Sequence, residues 1–174
     1  MYWYVLFTRT GREEIAEKIL KKHLDNALFL PFIPMSETIF RCSGHIKKEL
    51  KPLFPSYVFI ESNLPSIEMI NKTKKLIFYS KDIIRYLKYE DTGDIAMREH
   101  EKNMLLKLCN NSHLIEPSSG VIVGSKVYIK EGPLMGLESI VRKIDRHKRR
   151  AVIEVDFMGT NKSINVALEI VEKI

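Results

Sequence analysis

The chain has 174 residues, 45% apolar and 29% charged, with 28 Lys and Arg against 22 Asp and Glu and a net charge of +6. This balance excludes a disordered chain, and the length admits one ordinary domain or two small ones. No apolar run approaches the ~20 residues of a membrane span, and the two cysteines give no disulfide framework, so a reducing cytoplasm and no membrane partner are expected.

The N-terminal MYWYVLFTRTGREE lacks a basic leader, so it is not expected to be a secretory signal; it reads as a strand over Tyr2 to Thr8, closed at Gly11. REEIAEKILKKHLDN places Ile15, Ala16, Ile19, Leu20 and Leu24 at helical spacing. Its early Glu and late Lys residues suit the helix dipole. Ala27 to Pro34 predicts a second strand. TIFRCSGHIKKELKP predicts two extended arms about a Ser43-Gly44 turn. Leu53 to Glu61 predicts a strand whose prolines sit at its start. PSIEMINKT opens a helix at Pro65, Ile83 to Tyr89 fits a strand or a short helix, and REHEKNMLLKL predicts an amphipathic helix over Arg98 to Leu108.

Asn110 to Gly120, NNSHLIEPSSG, breaks all periodicity and is expected to be a flexible linker between a domain over 1–109 and a second over 121–174. From Val121 the text becomes short apolar runs separated by glycine-containing turns, the pattern of a small β-barrel or roll.

Catalytic motifs are missing: no GxxxxGK, GxGxxG, HExxH or GxSxG, and no distinctive carboxylate pair. Neither an enzyme nor a cofactor is expected. Cys42-x2-His45 and Cys109-x3-His113 have the local spacing of zinc ligands, but the gap between the two pairs far exceeds that of a finger, so no metal is expected. Trp3, Tyr4, Phe54 and Tyr57 either pack a core or line an aromatic depression for an apolar partner.

The densest charge lies in RKIDRHKRR, Arg142 to Arg150, which holds six of the ten basic residues in 121–174. Basic hairpin tips are often merely solvated. Six cations in nine positions nevertheless suit phosphates, and arginine adds bidentate donors that can read guanine edges.

In order along the chain, WYVLFTRTGREE, LFPSYVFI, VGSKVYIKEGPLMGLESIVRKID and VALEIVEKI resemble the NusG family of transcription elongation factors. The third resembles a KOW motif, with Gly132 and Gly136 bracketing a tight turn. The resemblance implies an α+β chain with an N-terminal ferredoxin-like αβ sandwich (NGN-like, βαββαβ) and a small C-terminal β-barrel (KOW, SH3-like). It implies docking on the clamp helices of bacterial RNA polymerase as a monomer, with Trp3, Tyr4, Phe54 and Tyr57 as the polymerase-binding residues. Bridging the polymerase cleft would reduce pausing.

Three departures stand out: Ser56 where the family usually has Gly, Leu134 and Met158 where it tends to have Phe, and the basic DRHKRR run. In this combination the chain is most similar to specialised LoaP-type antiterminators. That resemblance implies a KOW domain that binds a hairpin in nascent leader RNA, here through Arg142, Lys143, Arg146, His147, Lys148, Arg149 and Arg150. The alternative is a general factor whose KOW domain binds Rho or a ribosomal protein, with Leu134 and Met158 as its apolar patch. The Val- and Ile-rich C-terminal text favours strands, so a switch to helices is not expected.

Overall fold

In the computed structural model, which describes residues 1–174 apart from the Arg41 side chain, the chain begins with β1 (Tyr2–Thr8), α1 (Glu13–His23), β2 (Leu30–Phe32), β3 (Met35–Cys42) and β4 (His45–Pro52). Then come β5 (Tyr57–Ser62), α2 (Ser66–Tyr79), β6 (Ile83–Tyr86), α3 (Glu99–Leu108) and β7 (Leu114–Ile115). It ends with β8 (Ser118–Val123), β9 (Lys126–Glu131), a 3-10 turn, β10 (Val141–Asp145), β11 (Arg150–Phe157) and β12 (Thr160–Lys173). Contacts group these into two units, Met1–Pro34 with Phe54–Lys102, and Met35–Leu53 with Asn103–Ile174.

The first unit is built on a sheet of order β2-β5-β1-β6, every neighbouring pair antiparallel. Residues opposite one another share a face, so Tyr4, Leu6, Val58, Ile60 and Tyr86 line one side. Trp3, Val5, Phe59 and Phe32 line the other. The central strand is buried on both faces, which explains why it reads as a continuous apolar run rather than an alternation.

α2 covers the Tyr4 face. Its Thr73 Oγ1 donates to the Met69 carbonyl at 2.7 Å and lies 2.9 Å from the Tyr86 hydroxyl. α1 packs against β2 and β5 through Ala16 and Leu20. Its buried Glu13 accepts the Ser56 amide at 2.6 Å. Burial pushes the Tyr4 phenol up to about 12 and raises Tyr86 and Tyr89 further, because a phenolate would be stranded away from water. Tyr89 also donates to the buried Glu101 carboxylate, while the Arg98 guanidinium stacks 4.1 Å over its ring.

In the second unit β3 and β4 form a hairpin in register from Met35↔Pro52 to Cys42↔His45. Ser43 and Gly44 make its turn, both at positive φ, the primed-turn geometry that matches strand twist. The remaining strands make a sheet of order β10-β11-β12-β8-β9, in which β8 and β12 run parallel. Ala151, Ile153, Val155 and Phe157 alternate inward from β11 and meet Ile164, Val166 and Leu168 of β12. Gly132, at φ +94°, is obligatory: a Cβ there would lie 2.6 Å from the Ser118 Cα.

Asn110–Gly120 corrects the expectation of a flexible linker. The Asn110 Oδ1 accepts the Ser112 and Leu114 amides at 2.9 and 3.1 Å, so the polar text encodes a tight turn. β7 follows and pairs in parallel with Met35 and Ser36 of β3, burying Ile115, and β8 already begins at Ser118. The ambiguous Ile83–Tyr89 stretch resolves into a four-residue strand because β1 offers it an edge.

Candidate nucleic-acid interface

Two groups of residues stood out in the sequence, and the structure treats them oppositely. Trp3, Tyr4 and Phe54 are 1%, 0% and 3% exposed. Trp3 stacks edge-on against Phe32 at 5.0 Å and Phe59 at 6.0 Å, and its indole N–H donates to Glu61 at 2.7 Å. Tyr4 donates to the Leu64 carbonyl at 2.5 Å, and Phe54 packs on Phe59 at 5.9 Å. These three therefore build the core and do not line an open depression. Tyr57 alone of the four stays half-exposed, 5.6 Å from the equally half-exposed Phe7, over which Arg85 lies at 5.9 Å.

Ser56, between Pro55 and Tyr57, has φ +72°. A non-glycine residue there costs about 1–2 kcal/mol. The Glu13 bond to its amide and the 2.8 Å contact of its hydroxyl with Thr10 offset part of that cost.

The basic run forms the end of the β10–β11 hairpin. The Asp145 Oδ1 accepts the Lys148 amide at 3.0 Å, Arg149 N donates to the Arg146 carbonyl at 3.3 Å, and Arg149 takes φ +48° to close the loop. The Lys148 amide, with the surrounding cations, holds the Asp145 carboxyl below its usual range.

The six cations are not equivalent. Arg142 pairs with Glu154 at 2.6 Å, Arg149 with Glu169 at 3.4 Å and Arg150 with Asp145 at 3.8 Å. Lys143, Arg146 and Lys148 are exposed and make no ion pair among the described residues, and His147 stands exposed between them. Three of the six cations thus have no carboxylate within ion-pair distance among the described residues.

Two clefts border this tip. A smaller one of about 540 Å³ is lined by Lys143, Arg146 and Glu169. A larger one of about 1000 Å³ lies between Arg146–Arg150 and the β3–β4 hairpin of the same unit, with Phe40, Lys51 and Asn165 in its wall. Periodicity gave no reason to single out those three, because only the tertiary fold brings them to the tip.

Leu134 and Met158, proposed from sequence as an apolar patch, are 0% and 7% exposed and so form no such surface. Cys42 and His45 face each other at the end of the β3–β4 hairpin, while Cys109 ends α3 with its thiol pushed up to about 12 by burial. Among the described residues no three His, Cys, Asp or Glu gather as a metal site.

The strands β1, β2, β5 and β6 with α1 and α2 thus form a βαββαβ-like sheet, and the C-terminal strands form a small all-β region bearing the cationic hairpin. The family model described as "Transcription termination factor nusG" matches residues 1–106, and the chain belongs to the NusG family. The chain is 24% identical to the transcription termination/antitermination protein NusG of Haemophilus influenzae, over 99% of this chain and 94% of that one. It is 23% identical to that of Staphylococcus carnosus, over 99% and 95%, and 26% identical to that of Rickettsia conorii, over 98% and 89%. These are non-enzymatic transcription factors, and this chain is not an enzyme. No helix is long and apolar enough to cross a membrane among the described residues.

Proposed function

We propose that this protein is a cytoplasmic, monomeric transcription elongation and antitermination factor of LoaP-like specialisation. It acts on bacterial RNA polymerase and takes a hairpin of nascent leader RNA at the Arg142–Arg150 tip. The observation that carries the reading is the set of three exposed, unpaired cations, Lys143, Arg146 and Lys148, on a hydrogen-bonded hairpin end. The turn's own hydrogen bonds hold these three side chains on one short hairpin end. Arg142, Arg149 and Arg150, already engaged by carboxylates, hold the loop's shape and contribute less to phosphate binding.

For the polymerase, Tyr57 with Phe7 is the ring pair that a clamp helix would meet, while Trp3, Tyr4 and Phe54 support it from beneath. A docked factor would stabilise the closed polymerase and so reduce pausing and termination. The burial of Leu134 and Met158 counts against the general-factor alternative, in which the C-terminal sheet binds Rho or a ribosomal protein.

In vitro transcription across candidate leaders, scoring terminator readthrough with and without the protein, tests the reading. Readthrough should rise with the protein and fall back with Arg146→Ala/Lys148→Ala. With three free cations, log RNA affinity should fall against log salt with a slope of roughly −2 to −3. A slope near zero, or full readthrough by the double variant, would remove RNA from the mechanism.

A further inference from the structure

We propose that the larger cleft beside the tip is a pocket for a single unpaired nucleotide, so that the β3–β4 hairpin is the second wall of the RNA site. The proposal rests on the RNA reading above and adds to it a base-stacking subsite. Phe40 is 41% exposed and lines the cleft opposite Arg146 and Lys148. β7 pairs with β3 only at Met35 and Ser36; past them this edge of β3 makes no further ladder among the described residues, and β12, which carries Asn165, packs alongside β3 to form the facing wall.

Open edges are normally blunted by charge. Here the edge instead presents Thr38, Ile39 and Phe40 to a cation-rich cleft. Across it stands the exposed Asn165, whose amide offers one acceptor and two donors.

An aromatic face, an amide and flanking cations are the three elements that hold an unpaired base. The ring stacks, the amide pairs with a base edge, and the cations take the adjoining phosphates. The only acidic side chain in the wall, Glu49, is engaged by Lys51 at 3.1 Å, so it leaves the cleft's field positive. At about 1000 Å³ the space is at the upper end of the range for small-ligand sites, roughly 300–1000 Å³. A continuous A-form stem would not use it, because paired bases cannot reach the ring. The cleft therefore selects RNA hairpins with a loop or bulge nucleotide close to the stem that the tip grips.

The experiment uses the full chain and two labelled RNAs of equal length and charge, a stem-loop with a purine-rich loop and a fully paired duplex, read by fluorescence anisotropy. Phe40→Ala should weaken stem-loop binding roughly tenfold and leave duplex binding within about twofold. Phe40→Trp should restore stem-loop binding, which guards against a folding artefact. Arg146→Ala/Lys148→Ala should weaken both RNAs.

If Phe40→Ala affects neither RNA, or both equally, the nucleotide pocket is wrong while loss of both in the tip variant still upholds RNA binding. If the unsubstituted protein binds neither RNA, both readings fall. Polyglutamate competing as well as the stem-loop would make the cleft a site for acidic peptides and overturn the proposal.

Discussion

The aromatic sheet of the first unit and the basic hairpin end of the second invert what their composition suggests. Aromatic residues that dominate binding surfaces elsewhere are here sealed in the core: Trp3, Tyr4 and Phe54 touch Phe32, Phe59 and backbone, not solvent. The cationic run, whose ordinary role is to be solvated, contains a hydrogen-bonded hairpin end on which three cations make no ion pair among the described residues. The lesson is that residue type proposes a role, and neighbours decide it. A ring in a sheet covered on both faces stabilises; a cation beside a carboxylate shapes; a cation without one is left for a partner, which is the role proposed for the tip.

The largest effect that tests this contrast is on stability in the first unit. Trp3→Ala removes a fully buried indole and should cost about 3–5 kcal/mol. Tyr57→Ala, on the same face but half-exposed, should cost only about 1 kcal/mol and act chiefly on polymerase binding. Urea unfolding measures both. Equal losses would mean that the two rings do the same job and that the division between scaffold and surface is misplaced.

A smaller effect follows from the buried phenols. The Tyr4 phenol is raised from its ordinary 10 to about 12, and Tyr86 and Tyr89 rise in the same direction. A raised folded value means that the neutral form is the one the fold stabilises. That contribution is complete below pH 10 and is lost as pH climbs through 12. Tyrosine absorbance at 295 nm followed against pH should show phenols that ionise only with unfolding. Their smooth ionisation near pH 10 in the folded protein would show that the sheet is open to water.

Much of this architecture could be read from the sequence, for definite reasons. α1 was legible because Ala16 and Leu20 recur on one side with acid first and base last. The Ser43-Gly44 turn was legible because only a few residue types tolerate positive φ at both centres. Asn110–Gly120 was not, since polarity looks the same in a tether and in a loop whose Asn110 side chain caps its own backbone. Nor was the burial of Trp3 and Tyr4 legible, because a strand covered on both faces has no alternation to show. At the tip, the count of cations was legible and their state was not. Arg149 and Glu169 are far apart in the chain, and Phe40, Lys51 and Asn165 come to the site from separate strands.

The smallest predicted effect sharpens the comparison most. Arg146→Ala/Lys148→Ala should leave stability within about 0.5 kcal/mol of the unsubstituted protein. Both side chains are exposed and unpaired, and the loop is closed by their backbone groups, which alanine keeps. Losing two like charges beside Arg149 and Arg150 relieves repulsion, which offsets whatever the aliphatic stems contribute. Arg149→Ala should behave differently. It breaks the contact with Glu169, and it puts alanine at a positive φ that no side-chain contact then holds. That variant should lose about 1 kcal/mol, visible as a shift in the urea midpoint with unchanged slope. If instead the double variant is the less stable of the two, the unpaired cations are structural, and the tip is a brace and not a grip.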